Sequence, residues 1–193
     1  MKMARTAKVV WFMGEAQSSP VGIRAFGVQD ISTVCSWFET EADVVQWAGP
    51  KLSWASLEKE LHDLFDSTGD TSNICDFFSV VNKAGDLIGH FQLTRNRRTH
   101  QTDLSRVAIG PAHRNKGYAG LMLQAAVQFA FDDPITHRLE LRVFDFNVPA
   151  IRSYERLGFQ VEGVRRQSVH MKGDYWNTMV MGLLRSEYET RKG

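Results

Sequence analysis

The sequence predicts a mixed α/β (α+β) fold, one central sheet of about six to seven strands flanked by about four helices. Three observations carry that expectation. Apolar or alternating segments of strand length recur between Val21 and Leu184, and turn residues separate them. Segments with helical stripes interrupt them, in the order β-α-α-β-β-β-α-β-α-β-β. One helical segment is apolar on almost every side, which demands burial against a sheet.

The first residues, "MKMARTAKVVWFMGEAQSSP", carry early positive charge, but the apolar run "VVWFMG" is too short for a signal peptide. Residues 1–19 therefore read as an arm or an added edge strand, ahead of a single domain of residues 20–193. "VGIRAF" (Val21–Phe26) reads as a strand. "DISTVCSWF" then starts at Asp30, a good N-cap, and places Ile31, Val34, Cys35 and Phe38 on one helical face. Cys35 is thus expected in the core rather than as a nucleophile. In "SWASLEKELHDLF" the stripe is Leu57, Leu61, Leu64 and Phe65. "DFFSVV" and "DLIGHFQLT" form a hairpin around "NKAGD".

Ser105 to Ile109 make the next strand. Beyond a glycine-bearing loop, a helix runs from about Gly117 to Phe131, with Gln124 and Gln128 as its only polar positions. "RLELRVF" is a strand. "NVPAIRSYERLGF" is a helix, with Asn147 as N-cap, Pro149 tolerated in its first turn and Gly158 as its stop. Two final strands, "FQVEGVRRQSV" and "YWNTMVMGLL", flank "MKGD".

At 193 residues and 43% hydrophobic, the chain can bury a full core. Its net charge of +1 gives no global field for nucleic acid or an anionic membrane. The basic cluster Arg95–His100 lacks interleaved aromatics and reads as a solvated loop. No apolar run reaches the ~18–20 residues of a membrane span. Two cysteines, Cys35 and Cys75, make no disulfide scaffold, so a reduced cytoplasmic location is expected. The six histidines lack ligand spacing, so no metal is expected. Neither G-x-S-x-G nor a Cys/His signature for a covalent acyl-enzyme occurs.

The loop "GPAHRNKGYAG" joins backbone N–H groups and the positive end of a helix dipole to the charges of Arg114 and Lys116. Gly117 permits close approach, and Ala119 and Gly120 keep the first turn free of bulk. A phosphate or pyrophosphate is its natural occupant. Glycines that serve packing, with solvated cations, remain the alternative on the loop alone. The Walker and Rossmann patterns do not match it.

The pattern [RQ]-x-x-G-x-[GA] is filled by Arg114, Gly117 and Ala119. A second block, N-x-x-A-x-x-x-Y-x-x-x-G-F, is filled by Asn147, Ala150, Tyr154, Gly158 and Phe159. In both blocks, and in element order from about Val21 to Leu184, the sequence resembles the GNAT (Gcn5-related) N-acetyltransferases. The last strand and the first helix are similar to those of the ribosomal-protein N-terminal acetyltransferase branch and its amino-acid- or polyamine-modifying relatives.

The resemblance implies acetyl transfer from acetyl-CoA to a primary amine by direct attack on the thioester. The acceptor would be a small molecule or a peptide: a protein N-terminus, an amino acid, a polyamine or another small amine. The loop Arg114, Asn115, Lys116, Gly117, Tyr118, Ala119 and Gly120 would hold the pyrophosphate. Val107, Ala108 and Ile109, on a strand that splays from its neighbour in the family, would pair with the pantetheine arm, and Asn147 would touch it. A backbone N–H of that strand would polarise the thioester carbonyl, and one such donor is commonly worth ~3–4 kcal/mol. Tyr154, whose helical face it shares with Ile151 and Leu157, would protonate the departing sulfur; the plain reading is a core tyrosine. Glu140 resembles a position where some relatives carry a general base. Trp47 is the tryptophan expected at the acceptor, and a homodimer interface is compatible with acceptor recognition in this fold. The rival reading is a domain that binds acyl-CoA without turnover, as a sensor or an interaction module.

Overall fold

The computed structural model describes residues 9–13, 20–66 and 73–192. Within them lie the strands β1 (Val10–Phe12), β2 (Val21–Ala25), β3 (Asn73–Val81), β4 (Leu87–Asn96), β5 (Gln101–Ile109), β6 (Arg138–Phe144), β7 (Gln160–Met171) and β8 (Asp174–Leu184). They form one sheet in the order β1-β2-β3-β4-β5-β6-β8-β7. Only β5 and β6 run parallel; the other neighbours are antiparallel. Strand β1 lies at one edge of the sheet, while residues 1–8 and 14–19 lie outside the described residues.

Among the described residues six α-helices accompany the sheet: α1 (Ile31–Cys35), α2 (Glu41–Ala48), α3 (Leu57–Asp66), α4 (Tyr118–Phe131), α5 (Val148–Leu157) and α6 (Arg185–Lys192). Two of them were not expected from periodicity. Helix α2 carries only Val44 and Val45 as fully buried residues, and α6 is strongly polar, so neither has a broad apolar stripe. The sheet also has one strand more than expected.

Helix α4 lies across β2, β4, β5 and β6, burying Leu121, Met122, Leu123, Ala125, Ala126, Val127, Ala130 and Phe131. Gln124 on its thin polar stripe faces out. Each large apolar side chain so buried contributes roughly 1.5–3 kcal/mol. Tyr154 and Phe159 complete this main core, whereas α1, α2 and α3 assemble a second core around Ile31, Val34, Trp37, Val44 and Leu61. Cys35 packs only partly buried against that second core, and burial, with the charge of Glu58, pushes its thiol up to about 11. It stays a protonated packing group.

The pairing that shapes the molecule is broken at β5. On β4, His90 pairs with Ala108 and Gln92 with Ser105, so β5 carries one extra residue there, and Arg106 takes φ 49°. Such a bulge bends a strand and increases its twist. Accordingly β5 follows β6 only from Gln101↔Arg138 to Leu104↔Leu141. Ser105–Ile109 then diverge, and Arg142–Phe144 pair with β8 alone.

Asp30 does not cap α1 through its side chain as expected; the carboxylate turns back instead. It accepts from Gly27 N–H at 2.9 Å, from Ser79 Oγ at 2.7 Å and from both terminal nitrogens of Arg24 at 2.6 and 2.8 Å. Burial by itself would raise this carboxyl, but Arg24, Gly27 and Ser79 together hold it below its ordinary range. Its stabilising contribution is complete above about pH 4, the usual carboxylate value, and is lost as pH falls through the lowered folded value. Asp30→Ala should cost about 3–5 kcal/mol in chemical denaturation at neutral pH, because it strands a largely buried guanidinium. An unchanged denaturation midpoint would show the pair to be inert.

Candidate active site

Strand β5 ends in a loop whose backbone is set by two left-handed residues, Asn115 at φ 60° and Gly117 at φ 80°. Asparagine tolerates that region and glycine occupies it without strain. Gly117 is the N-cap of α4 and supplies no side-chain acceptor, so no capping group competes for the first-turn N–H groups. Gly120 N–H is bound to Gly117 O at 3.2 Å. A Cβ on Gly120 would meet nothing within 4 Å, so the approach to the turn is open. Arg114 Nε donates to Ile109 O at 3.2 Å and Lys116 Nζ to Ala112 O at 2.9 Å, which wraps both exposed cations around the loop. Ala119 is exposed and Tyr118 half-buried against the main core. The arrangement suits an anionic group at a helix start.

From this loop the diverging half of β5 leads into the sheet. Val107 and Ile109 pack on the main core, and Ala108 on the second. Backbone polar groups of this segment that face away from β4 have no β6 ladder to join, so an extended ligand could pair there. Asn147 caps α5 as expected, its side-chain oxygen accepting from Ala150 N–H at 3.4 Å. Tyr154 sits on the buried face of α5, edge-on to Phe159 at 5.8 Å. Burial pushes its phenol up to about 12, so the proton is held throughout the neutral range. A glycine loop, an unpaired half-strand and a protonated phenol thus lie on the α4 and α5 side.

On the other side of the divergence is a cavity of about 550 Å³, lined by Trp47, Lys51, Asp103, Arg106, Arg142 and Arg165 among others. Trp47, on α2, stacks on Phe38 with ring centres 4.6 Å apart. Trp47, expected at the acceptor, thus lines this cavity. A wider hollow of about 920 Å³, between α1 and α3, is lined by Ser32, Cys35 and His62 and lies away from the divergence.

Glu140 is placed differently from the expectation. It neighbours Asp103 across the parallel pair, yet its oxygens contact Arg138 at 3.0 Å and Arg142 at 3.2 Å. Arg138 also grips Glu162, and Glu140 does not line the cavity. The carboxylate that does so is Asp103. Burial pushes Asp103 up, and Glu140 adds to this; a hydrogen bond from Gln101 Nε2 at 3.1 Å, together with Arg142 and Arg138, works against it. The sequence offered one signal for Asp103, an acid within an alternating strand. That signal could not say which face of β5 meets a cavity. Leu104, Leu139 and Leu141 join Tyr154 in the main core, so Asp103 and Glu140 point the opposite way.

Among the described residues no group of three or more His, Cys, Asp or Glu could hold a metal ion. No described helix is long and apolar enough to cross a membrane.

The Acetyltransferase (GNAT) family model matches residues 41–159. The SPbeta prophage-derived uncharacterized N-acetyltransferase YokL of Bacillus subtilis (strain 168) is 25% identical over 175 residues, 78% of this chain and 99% of its own. The L-amino acid N-acetyltransferase AaaT of Escherichia coli (strain K12) is 29% identical over 100 residues, 50% of this chain and 61% of its own. The spermidine N(1)-acetyltransferase of Vibrio cholerae is 29% identical over 114 residues, 59% of this chain and 66% of its own. The crystal structure of spermidine N-acetyltransferase from Vibrio cholerae in complex with CoA and spermine superposes with a TM-score of 0.72 at 23% identity, covering 88% of this chain and 98% of that one.

Gly117→Glu should abolish CoA binding in calorimetry, since it places bulk and negative charge where the loop is open to an anion. The backbone strain it adds, about 1–2 kcal/mol, should leave the protein folded at 25 °C. Unchanged CoA affinity would remove the loop from the site.

Proposed function

We propose a division of labour for this chain, which belongs to the Acetyltransferase (GNAT) family and is an acetyl-CoA-dependent N-acetyltransferase: the donor is held on the α4 and α5 side of the β5/β6 divergence, and the amine arrives from the cavity on the other side. The divergence carries this reading, because it is where the loop, the unpaired half-strand and the cavity converge.

Acetyl-CoA, when bound, supplies an acetyl thioester. Arg114 to Gly120 hold its pyrophosphate with backbone N–H groups, and Arg114 and Lys116 add charge. Val107, Ala108 and Ile109 offer backbone groups to the extended arm, and an N–H there polarises a carbonyl. Asn147 borders the same arm while it caps α5. Tyr154, protonated at neutral pH, keeps a proton at its hydroxyl for a departing thiolate. Asp103 meets the incoming amine and takes a proton from it. Glu140, held between Arg138 and Arg142, sets the local field instead of acting as the base. Bringing both reactants into a near-attack geometry can supply ~7–11 kcal/mol.

Residues 20–193 act as one catalytic unit, with β1 as an added edge. The outward run of β7 from Gln160 to Gln167 is exposed along an edge strand, which supports pairing with a second copy. Unpaired cysteines, Cys35 and Cys75, support work in a reducing, cytoplasmic compartment. Acceptors considered at this site are polyamines, amino acids and peptide N-termini, the last being the reading of the ribosomal-protein branch.

A thiol-release assay over a panel of these amines tests the transferase reading. CoA binding without release for any acceptor would favour the sensor alternative. Tyr154→Phe should lower kcat roughly 100-fold or more with acetyl-CoA affinity intact; wild-type turnover would return Tyr154 to packing. The acidic limb of kcat/KM should lie above the ordinary carboxylate value, since Asp103 must be ionised to accept a proton and burial raises it. Asp103→Asn should erase that limb, and a limb unchanged in the variant would assign the base elsewhere.

A further inference from the structure

The charges lining the cavity are not those of a polyamine site. Four cationic side chains, Lys51, Arg106, Arg142 and Arg165, face one carboxylate, Asp103. Arg142 is engaged by Glu140. Among the described residues Arg106 is engaged by no acid, and its side chain donates to the neutral Gln92 Oε1 at 2.7 Å.

Among the described residues, the surroundings of Arg106 hold no counter-charge. Burial lowers its guanidinium from the ordinary range, and the Cys75 thiol alone acts against this. Burial also raises Cys75, keeping it a neutral thiol. His90 faces Gln92 Nε2 at 3.1 Å, and burial first, then the charge of Arg106, pushes it down to about 3, so it is neutral too. Two donors are left over on residues that line the cavity, each atom itself buried. Among the described residues, buried Arg106 Nε and Trp47 Nε1 have no hydrogen-bond partner, and the same holds for buried His90 Nδ1. Trp47 packs edge-on to His90 with ring centres 6.0 Å apart, so the two donors belong to one neighbourhood.

A half-buried cation with only a neutral partner is costly, and unpaired buried donors add to the cost. Both are relieved by an anionic oxygen from a ligand. On this basis, which rests on the transferase reading above, we propose that the acceptor is an amine bearing a carboxylate, whose oxygens are received by Arg106 and Trp47 while Asp103 meets its amino group. Polycationic amines are disfavoured by the same charges.

The test compares kcat/KM by thiol release for free amino acids, their carboxamides, C-terminally amidated dipeptides with an N-terminal Asp or Glu, and spermidine. Wild type should prefer carboxylate-bearing amines over the carboxamides and spermidine by about 10–100-fold, the usual range for one charge-assisted hydrogen bond. Free amino acids against acidic-ended dipeptides tells an α-carboxylate from a side-chain carboxylate, and preference for either supports the assignment. Arg106→Gln should erase the preference and Arg106→Lys should retain part of it; because the comparison in the wild type needs no variant, misfolding of either leaves it intact. Spermidine or the carboxamides used as well as the carboxylates would overturn the inference alone. Thiol release with no amine at all would overturn the transferase reading and this inference together.

Discussion

Everything distinctive about this molecule depends on a parallel pairing that stops after Leu104↔Leu141. A parallel strand pair usually continues until a strand ends, because each lost rung leaves backbone groups to be satisfied otherwise. Here the bulge at Arg106 turns β5 away while its antiparallel register with β4 resumes at Ala108 and Ile109. The sheet stays intact on one side of β5 and opens on the other. Helix α4 bridges the opening, holding β4, β5 and β6 together through its buried face, so the gap is built into a rigid frame.

The same bulge links structure to electrostatics. It directs Arg106 into a half-buried setting where no described carboxylate meets it, while Asp103, three residues earlier, is half-buried with no described cation in an ion pair with it. Elsewhere the chain pairs its partly buried charges carefully. Arg24 meets Asp30, Arg95 meets Asp76, and Arg138 meets both Glu140 and Glu162. Those pairs hold the scaffold. Unpaired charges concentrated at the opening are what a site for a small polar molecule requires, since the ligand completes the compensation.

Much of the fold was legible because most elements bury one face. The stripes of α3, α4 and α5, the β3–β4 hairpin and the glycine stop at Gly158 all follow local rules that the structure reproduces. Helix α2 escaped notice because its start depends on a capping box between Thr40 and Asp43, not on an apolar stripe. Asp30 shows the converse, a good local cap drawn away by Arg24 and Ser79, which only folding brings near.

For the site, the linear order of residues was enough to specify the loop, since Asn115, Gly117 and the start of α4 are neighbours along the chain and their backbone preferences are local. Tyr154 and Asn147 were likewise placed by helical spacing and capping. What required the folded chain was everything that crosses strands. Asp103, and not Glu140, reaches the cavity because Arg138 and Arg142 close around Glu140 from its own strand. Trp47 and Arg106 are far apart in sequence, yet both line one cavity and both leave a buried donor without a partner. Which face of a strand meets a void, and which charge finds a partner, are set by long-range packing, and no local pattern encodes them.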